Sequence, residues 1–167
     1  MKEILITIPN DLIPYTLCLD RDGVPVCGWY LPMEAAAQEM LTAGRVFEER
    51  PYGQYPIGEQ LRAYFAGDRV SFDTPLRLAG TAFQKKVWEE MTHIPYGEVV
   101  SYGDLAHRAG CRAYRAVGQA CHRNPLPLIV PCHRVIASGG RLGGFGGGED
   151  IKRMLLQFEG VAPLPAG

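Results

Sequence analysis

Residues 101–136 read SYGDLAHRAGCRAYRAVGQACHRNPLPLIVPCHRVI, and this stretch decides the fold of the second half of the chain. Ser101 is a suitable N-cap for a short helix that ends at Gly110. A second short helix is predicted from Tyr114 to Arg123, because its small residues share one face and Asn124 precedes a proline. Two short helices joined by such a turn are typical of a helix-turn-helix, although helical hairpins that bind nothing show the same pattern.

A cysteine follows directly on a short apolar run. Leu126–Val130 is predicted to be a buried extended segment, and Pro131 leads from it into Cys132, His133 and Arg134. A thiolate is the strongest side-chain nucleophile near neutral pH, and cationic neighbours favour it. Since a free cysteine is more often an inert core residue, the residues alone leave both interpretations open.

Beyond the cysteine, residues 139–148 contain seven glycines, and a last helix is predicted from Glu149 to Glu159. The glycine-rich loop is not a P-loop or a dinucleotide-binding fingerprint, since neither motif is complete. Its glycines favour a backbone that approaches a flat ligand closely, with a plain surface loop as the open alternative. Cys121-His122 and Cys132-His133 match no structural zinc spacing, so no metal site is predicted.

The first half of the chain predicts a different architecture. Apolar residues alternate within positions 1–30 on either side of Asp22-Gly23, which predicts a small antiparallel sheet. Residues 44–58 are predicted to be a loop, followed by a short helix around Leu61. Thr81 is predicted to cap the first helix of the second half.

Charge divides the chain in the same way. The sequence predicts an α/β domain over residues 1–78 and a mostly helical domain over residues 79–167. The net charge is −1, but residues 1–80 carry 7 Lys/Arg against 11 Asp/Glu, whereas residues 81–167 carry 10 against 7. The second half is therefore the part suited to a polyanion, with a solvated basic face as the alternative.

Composition excludes two classes of protein. The five cysteines are odd in number and scattered, which argues against a secreted disulfide scaffold. No apolar run approaches the roughly 18 residues that span a bilayer, and the N-terminus lacks the features of a signal peptide. A cytoplasmic protein with no membrane partner is predicted. No disulfide is assigned among Cys18, Cys27, Cys111 and Cys121.

Taken together, the motifs of the second half resemble the O6-alkylguanine-DNA alkyltransferases, also called methylated-DNA–protein-cysteine methyltransferases. In chain order, they are Ile94-Pro-Tyr-Gly-Glu98, Ser101-Tyr102, Arg115-Ala-Val-Gly118, Asn124-Pro125, Pro131-Cys-His-Arg-Val135 and Leu155-Leu-x-x-Glu-Gly160. The resemblance runs from about Phe83 to Gly160. It implies an RNase H-like first domain and a winged-helix-like second domain that carries the helix-turn-helix.

The resemblance implies a single-turnover suicide reaction that needs no cofactor. Cys132 would remove an alkyl group from O6 of guanine, and also from O4 of thymine, and would keep it as a thioether. His133 and Glu159 would activate the thiol through a water molecule. The implied partner is double-stranded DNA that contains O6-alkylguanine, bound by a monomer.

The same resemblance assigns the remaining site residues. Tyr102 would assist the departing guanine, Asn124 would fix the cysteine loop, and Lys152 would lie near the site. The implied substrate-binding residues are Tyr102, Val135, Phe145 and Gly146, the last two standing where some relatives carry Tyr and Ser.

DNA binding is implied for the face of the second short helix. Arg115 would fill the space left by a base rotated out of the duplex, approached through the minor groove. The implied DNA-binding residues are Ser101, Tyr114, Arg115, Ala116, Ala120 and Arg123. Three rival interpretations stay open: a non-catalytic lesion-binding relative, which Cys132 argues against, and a thiol hydrolase and a redox-switch protein, neither of which has a supporting motif.

Overall fold

The computed structural model describes residues 2–143 and 148–161. In chain order the elements are β1 (Glu3–Thr7), β2 (Thr16–Leu19), β3 (Pro25–Trp29), α1 (Met33–Thr42), β4 (Phe47–Glu49), α2 (Pro56–Phe65), α3 (Ala82–Thr92), β5 (Val100–Ser101), α4 (Tyr102–Arg108), α5 (Tyr114–His122), β6 (Val135–Ile136) and α6 (Glu149–Phe158). Short 3-10 helices occupy Tyr52–Gln54, Cys132–Arg134 and Ser138–Gly140. The chain divides into two compact units, Met1–Ala79 and Gly80–Gly167.

The first unit is built on a sheet with strand order β3-β2-β1-β4. The predicted antiparallel pairing is confirmed for β1 with β2 and for β2 with β3, but β4 lies parallel to β1, so the sheet is mixed. Between β3 and β4 runs α1, which supplies the crossover that a parallel neighbour needs. Leu5, Cys18 and Met40 form a buried core on the face that α1 covers.

The prediction of a loop over residues 44–58 was wrong, because this segment holds β4, a 3-10 turn and the start of α2. Pro56 is the first residue of α2, where a missing N–H has no cost and the fixed φ suits a helix. Gly58 allows the close approach of the preceding turn, since a Cβ there would lie 2.1 Å from the carbonyl oxygen of Tyr52. Proline and glycine usually interrupt helices and strands, but here they form the tight junction between the 3-10 turn and α2.

In the second unit, the helix caps predicted from the sequence are confirmed. Thr81 and Gln84 form a reciprocal capping box at the start of α3. The Ser101 hydroxyl accepts from the Asp104 backbone N–H at 3.0 Å and begins α4. The indole N–H of Trp88 on α3 donates to the Ala120 carbonyl on α5 at 2.7 Å, which ties the two helices together.

Leu126–Val130 is buried as predicted, except for half-exposed Pro127, but it is not extended. The segment folds into a tight turn in which the Val130 N–H donates to the Leu126 carbonyl at 3.0 Å, and Leu128 has a φ of 79°. After this turn, β6 pairs in parallel with β5, with Val100 opposite Val135. The start of α4 is thereby placed beside the segment that follows Cys132. None of the helices within residues 2–143 and 148–161 is long and apolar enough to cross a membrane.

Candidate active site

Cys132 opens the 3-10 turn Cys132–Arg134 and is only 9% exposed. Its backbone N–H donates to the Val130 carbonyl at 2.8 Å. Asn124 closes the preceding turn: its amide donates to the same Val130 carbonyl at 2.7 Å, and its oxygen accepts from the Leu126 N–H at 3.0 Å. The side chain of one asparagine therefore links the end of α5 to the segment that presents the thiol.

His133 and Glu159 form a buried pair. Nε2 of His133 lies 2.7 Å from Oε2 of Glu159, and both side chains are 0% exposed. Nδ1 of His133 is also buried, and it has no hydrogen-bond partner among the residues that the structure describes. One ring nitrogen is thus fixed by a carboxylate while the other remains available for proton transfer.

Arg134 and a backbone N–H saturate the same carboxylate. Nε of Arg134 donates to Oε1 of Glu159 at 2.9 Å and a terminal guanidinium nitrogen donates to Oε2 at 3.0 Å, while the other donates to the Ile94 carbonyl at 2.8 Å. The Gly97 N–H donates to Oε1 at 3.0 Å. Because an ionised carboxylate only accepts, the His133 proton lies on Nε2 and Nδ1 carries the lone pair.

The electrostatics of this cluster favour an ionised glutamate beside a neutral histidine. Burial alone would raise the pKa of Glu159, but the bonds from His133 and Arg134 hold it well below its ordinary value. Burial lowers the pKa of His133, against the opposing effect of Glu159. The imidazole is therefore neutral at physiological pH and can accept a proton at Nδ1.

The thiol of Cys132 is protonated in the resting site. Burial raises its pKa, whereas a hydrogen bond from Asn124, the charge of Lys152 and the backbone N–H groups of Cys132 and His133 lower it. The charge of Lys152 and these hydrogen-bond donors favour the thiolate once the proton has left. The arrangement suits a nucleophile that needs a base.

Lys152 and Tyr102 lie together near the thiol. Nζ of Lys152, on α6, donates to the Val135 carbonyl at 2.5 Å and lies 5.7 Å from the centre of the Tyr102 ring. Burial lowers the pKa of Lys152 to about 8. Burial and the neighbouring Cys121 and Cys132 raise the pKa of Tyr102 to about 12. Both groups therefore hold a proton at neutral pH and can donate it.

A groove of about 670 Å³ runs along the outer face of α5. Its lining residues are Tyr102, Tyr114, Arg115, Gly118, Gln119, His122 and Arg123. Tyr114 is 60% exposed, and the two arginines are exposed as well. Tyr102 belongs both to this groove and to the group of side chains that interact with Lys152 and Cys132.

Comparison with known proteins places this site in a family. Residues 82–161 match the model described as "6-O-methylguanine DNA methyltransferase, DNA binding domain". The crystal structure of Mycobacterium tuberculosis O6-methylguanine methyltransferase is similar with a TM-score of 0.78 and 39% identity, over 96% of this chain and 95% of that one. The chain belongs to the O6-methylguanine-DNA methyltransferase family.

Further relatives agree with this membership of the O6-methylguanine-DNA methyltransferases. Proteins named methylated-DNA–protein-cysteine methyltransferase from Methanosarcina acetivorans and Mycobacterium bovis are 54% and 53% identical over 102 residues, which is 60% of this chain. The match spans 65% and 62% of those two relatives, less than two thirds of their length. A crystal structure of Mycobacterium tuberculosis OGT in complex with DNA is similar with a TM-score of 0.77 and 39% identity, over 93% of this chain and 92% of that one.

The structure brings together most of the residues that the family resemblance implied. Cys132, His133, Glu159, Asn124, Lys152 and Tyr102 form one connected cluster. Val135 is buried, and its carbonyl is already bonded to Lys152. Phe145 and Gly146 lie outside the described residues.

The residues that the resemblance implies for DNA binding differ in their exposure. Tyr114, Arg115 and Arg123 line the groove, and Ala116 is half-buried. Ala120 was expected to face DNA, but it is 2% exposed because α5 turns it toward the Trp88 side of the helix, so that expectation was wrong. Ser101 uses its hydroxyl to cap α4.

Sequence reasoning missed Arg134 as a member of the site. An arginine that is 5% exposed must have a carboxylate partner, and the motif Pro-Cys-His-Arg places it beside the histidine. What the local sequence does not show is that one glutamate, 25 residues away, accepts from both. No three His, Cys, Asp or Glu side chains within the described ranges are arranged to hold a metal ion.

Proposed function

We propose that the protein repairs DNA by transferring an alkyl group from O6 of guanine in duplex DNA to Sγ of Cys132, once per molecule. The observation that carries this proposal is the buried His133–Glu159 pair: Nε2 of His133 lies 2.7 Å from Glu159, and Nδ1 is left as a lone-pair acceptor on the residue that follows Cys132 in the chain. Membership in the methyltransferase family supports it.

The proposed chemistry uses the groups of the cluster in a defined order. His133 accepts the thiol proton, directly or through one water, and Glu159 stabilises the imidazolium that forms. The thiolate attacks the methyl carbon, so the S–C bond forms while the C–O6 bond breaks and its electron pair stays on the guanine. The guanine then takes up a proton, for which Lys152 and Tyr102 are the nearby donors.

Access to the methyl carbon requires the base to leave the duplex. We propose that α4 and α5 form a helix-turn-helix in a winged-helix-like unit, with α5 against the minor groove. Arg115 and Tyr114, exposed along the groove, are suited to fill the space that the rotated base leaves. A stacked and correctly paired base resists extrusion by a few kcal/mol, which favours weakly paired lesions.

The direct test is intact mass after incubation with excess duplex that carries one O6-methylguanine. The expected result is a gain of one CH₂ per protein, saturating at one, with Cys132 as the modified residue after digestion. Cys132→Ala should gain nothing. Cys121→Ala is the matched control, because Cys121 is another buried thiol of the same unit, and it should react like the unmodified protein.

Two other outcomes overturn the proposal in different ways. Lesion DNA that is bound without any gain of mass identifies a non-catalytic lesion-binding protein. If the protein neither gains mass nor binds the lesion DNA, the proposed function is wrong. A parallel duplex with O4-methylthymine tests whether the second base is also a substrate.

A further inference from the structure

A pair of cysteines lies in the first unit, and the proposed function uses neither of them. Cys18 on β2 and Cys27 on β3 are direct partners in the antiparallel register. Opposite residues of an antiparallel pair point to the same face, with Cα atoms about 4.5 to 5.5 Å apart. That separation lies inside the range of about 4.4 to 6.8 Å that disulfides span. The backbone thus places the two cysteines where a bond between them is allowed.

Arg45 is built into this pair. One guanidinium nitrogen donates to Sγ of Cys27 at 3.4 Å and another lies 3.6 Å from Sγ of Cys18. The same guanidinium donates to both carboxylate oxygens of Glu3, at 2.8 and 2.5 Å. The arginine therefore spans β1, β2 and β3 on one face of the sheet.

The position of Arg45 is set by the end of α1. Gly44 has a φ of 69°, and the Arg45 N–H donates back to the Met40 carbonyl at 2.9 Å. A glycine with positive φ followed by such a bond is a common way for a helix to end, and it fixes the direction of the chain at Arg45. The Glu3 N–H donates to the Val46 carbonyl at 2.9 Å, so both partners of the ion pair are held by backbone bonds as well.

The two thiols differ in exposure and in charge. Cys27 is half-buried on β3, which is an edge strand, whereas Cys18 is fully buried. The hydrogen bond from Cys18, opposed by burial and helped by Arg45, lowers the pKa of Cys27 to about 7. The same bond and burial raise the pKa of Cys18. Cys27 is therefore the nucleophilic thiolate and Cys18 the protonated neighbour; Glu3, Arg45 and Cys18 are the ionisable groups that act on it.

We propose that Cys18 and Cys27 form an oxidation-sensitive dithiol that hydroperoxides convert into an intrachain disulfide. The Cys27 thiolate attacks one oxygen of the peroxide, whose O–O bond breaks, and yields a sulfenic acid and hydroxide or alkoxide. The Cys18 sulfur then displaces water from that sulfenic acid and forms the S–S bond. Two thiols lose one electron each, and one peroxide gains two.

The experiment uses the full chain in a Cys132→Ser background, treated with hydrogen peroxide and then blocked with an alkylating reagent before trypsin digestion. Cleavage after Lys2, Arg21 and Arg45 separates the two cysteines, so the expected product is peptide 3–21 linked to peptide 22–45. Dithiothreitol should release both peptides. Alkylated Cys18 and Cys27 after peroxide, or links only to Cys111 or Cys121, would overturn the proposal.

Single substitutions test the roles of the individual residues. With Cys18→Ser, the Cys27 sulfenic acid has no resolving thiol and should be trapped by dimedone, whereas Cys27→Ser should give no adduct at Cys18. Arg45→Gln should slow the loss of reduced Cys27 at pH 7 several-fold, because the pKa of Cys27 rises and its thiolate fraction falls when the guanidinium is lost, while the hydrogen bond from Cys18 stays. Arg50→Gln is the matched control, since Arg50 pairs with Glu48 at 2.9 Å on the surface of the same unit, and this variant should leave the rate unchanged. An Arg45→Gln rate equal to that control would remove the arginine from the proposal.

This site is independent of alkyl transfer. Cys27→Ser in the unmodified background retains Cys132 and should gain one CH₂ from lesion DNA as before. The failure of either proposal can therefore be recognised while the other stands.

Discussion

At the scale of single residues, Glu159 links the end of α6 to Gly97 and to the turn that holds His133 and Arg134. Oε1 accepts from Nε of Arg134 and from the Gly97 backbone N–H, and Oε2 accepts from Arg134 and from His133. A buried carboxylate with this many donors stays ionised, and it thereby fixes the tautomer of His133. The proton acceptor that we propose, His133, and the buried ion pair of Arg134 and Glu159 consequently belong to one cluster.

Removal of Arg134 should leave Glu159 with an uncompensated buried charge. We expect Arg134→Met to lower the free energy of unfolding by about 3 to 5 kcal/mol, the usual result of breaking one side of a buried pair. Urea denaturation at pH 7 measures this. Arg108→Met, on the exposed side of α4, is the control and should change it by less than about 0.5 kcal/mol. Equal effects for the two variants would contradict the assignment.

The neutral state of His133 should make stability depend on pH. Its pKa is lowered from 6.5, so below pH 6.5 the unfolded chain binds a proton that the folded protein does not. Its contribution is therefore present above pH 6.5 and is lost as the pH falls, at about 1.4 kcal/mol per pH unit. Glu159 acts in the same direction, but only below its ordinary value of 4.5.

Denaturation between pH 6.5 and 5 isolates the histidine. His133→Gln should flatten this slope, whereas His122→Gln, on the exposed face of α5, should keep it. A slope that survives His133→Gln would show that another group binds the proton.

At the scale of elements, the helices with side-chain caps could be predicted from the sequence. The side-chain caps at Thr81 and Ser101 are visible in the sequence, and those helices were predicted correctly. In contrast, α1 follows Pro32 without a side-chain cap bond and buries only Ala36 and Met40, so its pattern is weak. Its helix depends on packing against a sheet that the local sequence does not show.

The candidate site likewise has features that follow from the local sequence and features that depend on contacts between distant segments. The motif around Cys132 is enough to propose a nucleophile with a histidine beside it, because those two residues are adjacent in the chain. The bond of Arg134 to Glu159 and the burial of Ala120 depend on how α5, α6 and the turn after Val130 pack. Contacts between segments that are distant in sequence have no local signature, which is why these two features were missed or wrong.

The outer face of α5 offers a test of DNA binding that separates it from folding. A Cβ on Gly118 meets nothing within 4 Å, so the helix tolerates alanine there. We expect Gly118→Ala to raise the free energy of unfolding by about 0.5 to 1 kcal/mol, because glycine disfavours a helix interior. Since Gly118 lines the groove, the added methyl group should weaken binding to duplex DNA.

Urea denaturation and fluorescence anisotropy of a labelled duplex measure the two effects on the same variant. Higher stability together with lower affinity supports contact between α5 and DNA. Unchanged affinity would place the DNA on another face of the unit.

At the scale of the whole molecule, charge is distributed unevenly. The first unit has an excess of acidic residues and the second an excess of basic ones, with 7 Lys/Arg against 11 Asp/Glu up to residue 80 and 10 against 7 beyond it. A protein with a net charge of −1 can therefore still present a positive face to phosphates. Each arginine that neutralises a phosphate releases counterions from the DNA, which makes the affinity depend on salt.

This distribution predicts which arginines set the salt dependence. A plot of log affinity against log salt concentration should be linear, with a slope of about −0.9 for each phosphate contact. Arg123→Gln, in the α5 groove, should make that slope shallower by about one contact, because it removes one cation from the face that we propose binds DNA. Arg50→Gln removes the same charge from the acidic unit and should leave the slope unchanged, even though the net charge of the protein changes equally. Equal shifts for both variants would mean that the total charge governs binding, whereas a shift for Arg123→Gln alone assigns the phosphate contacts to the second unit.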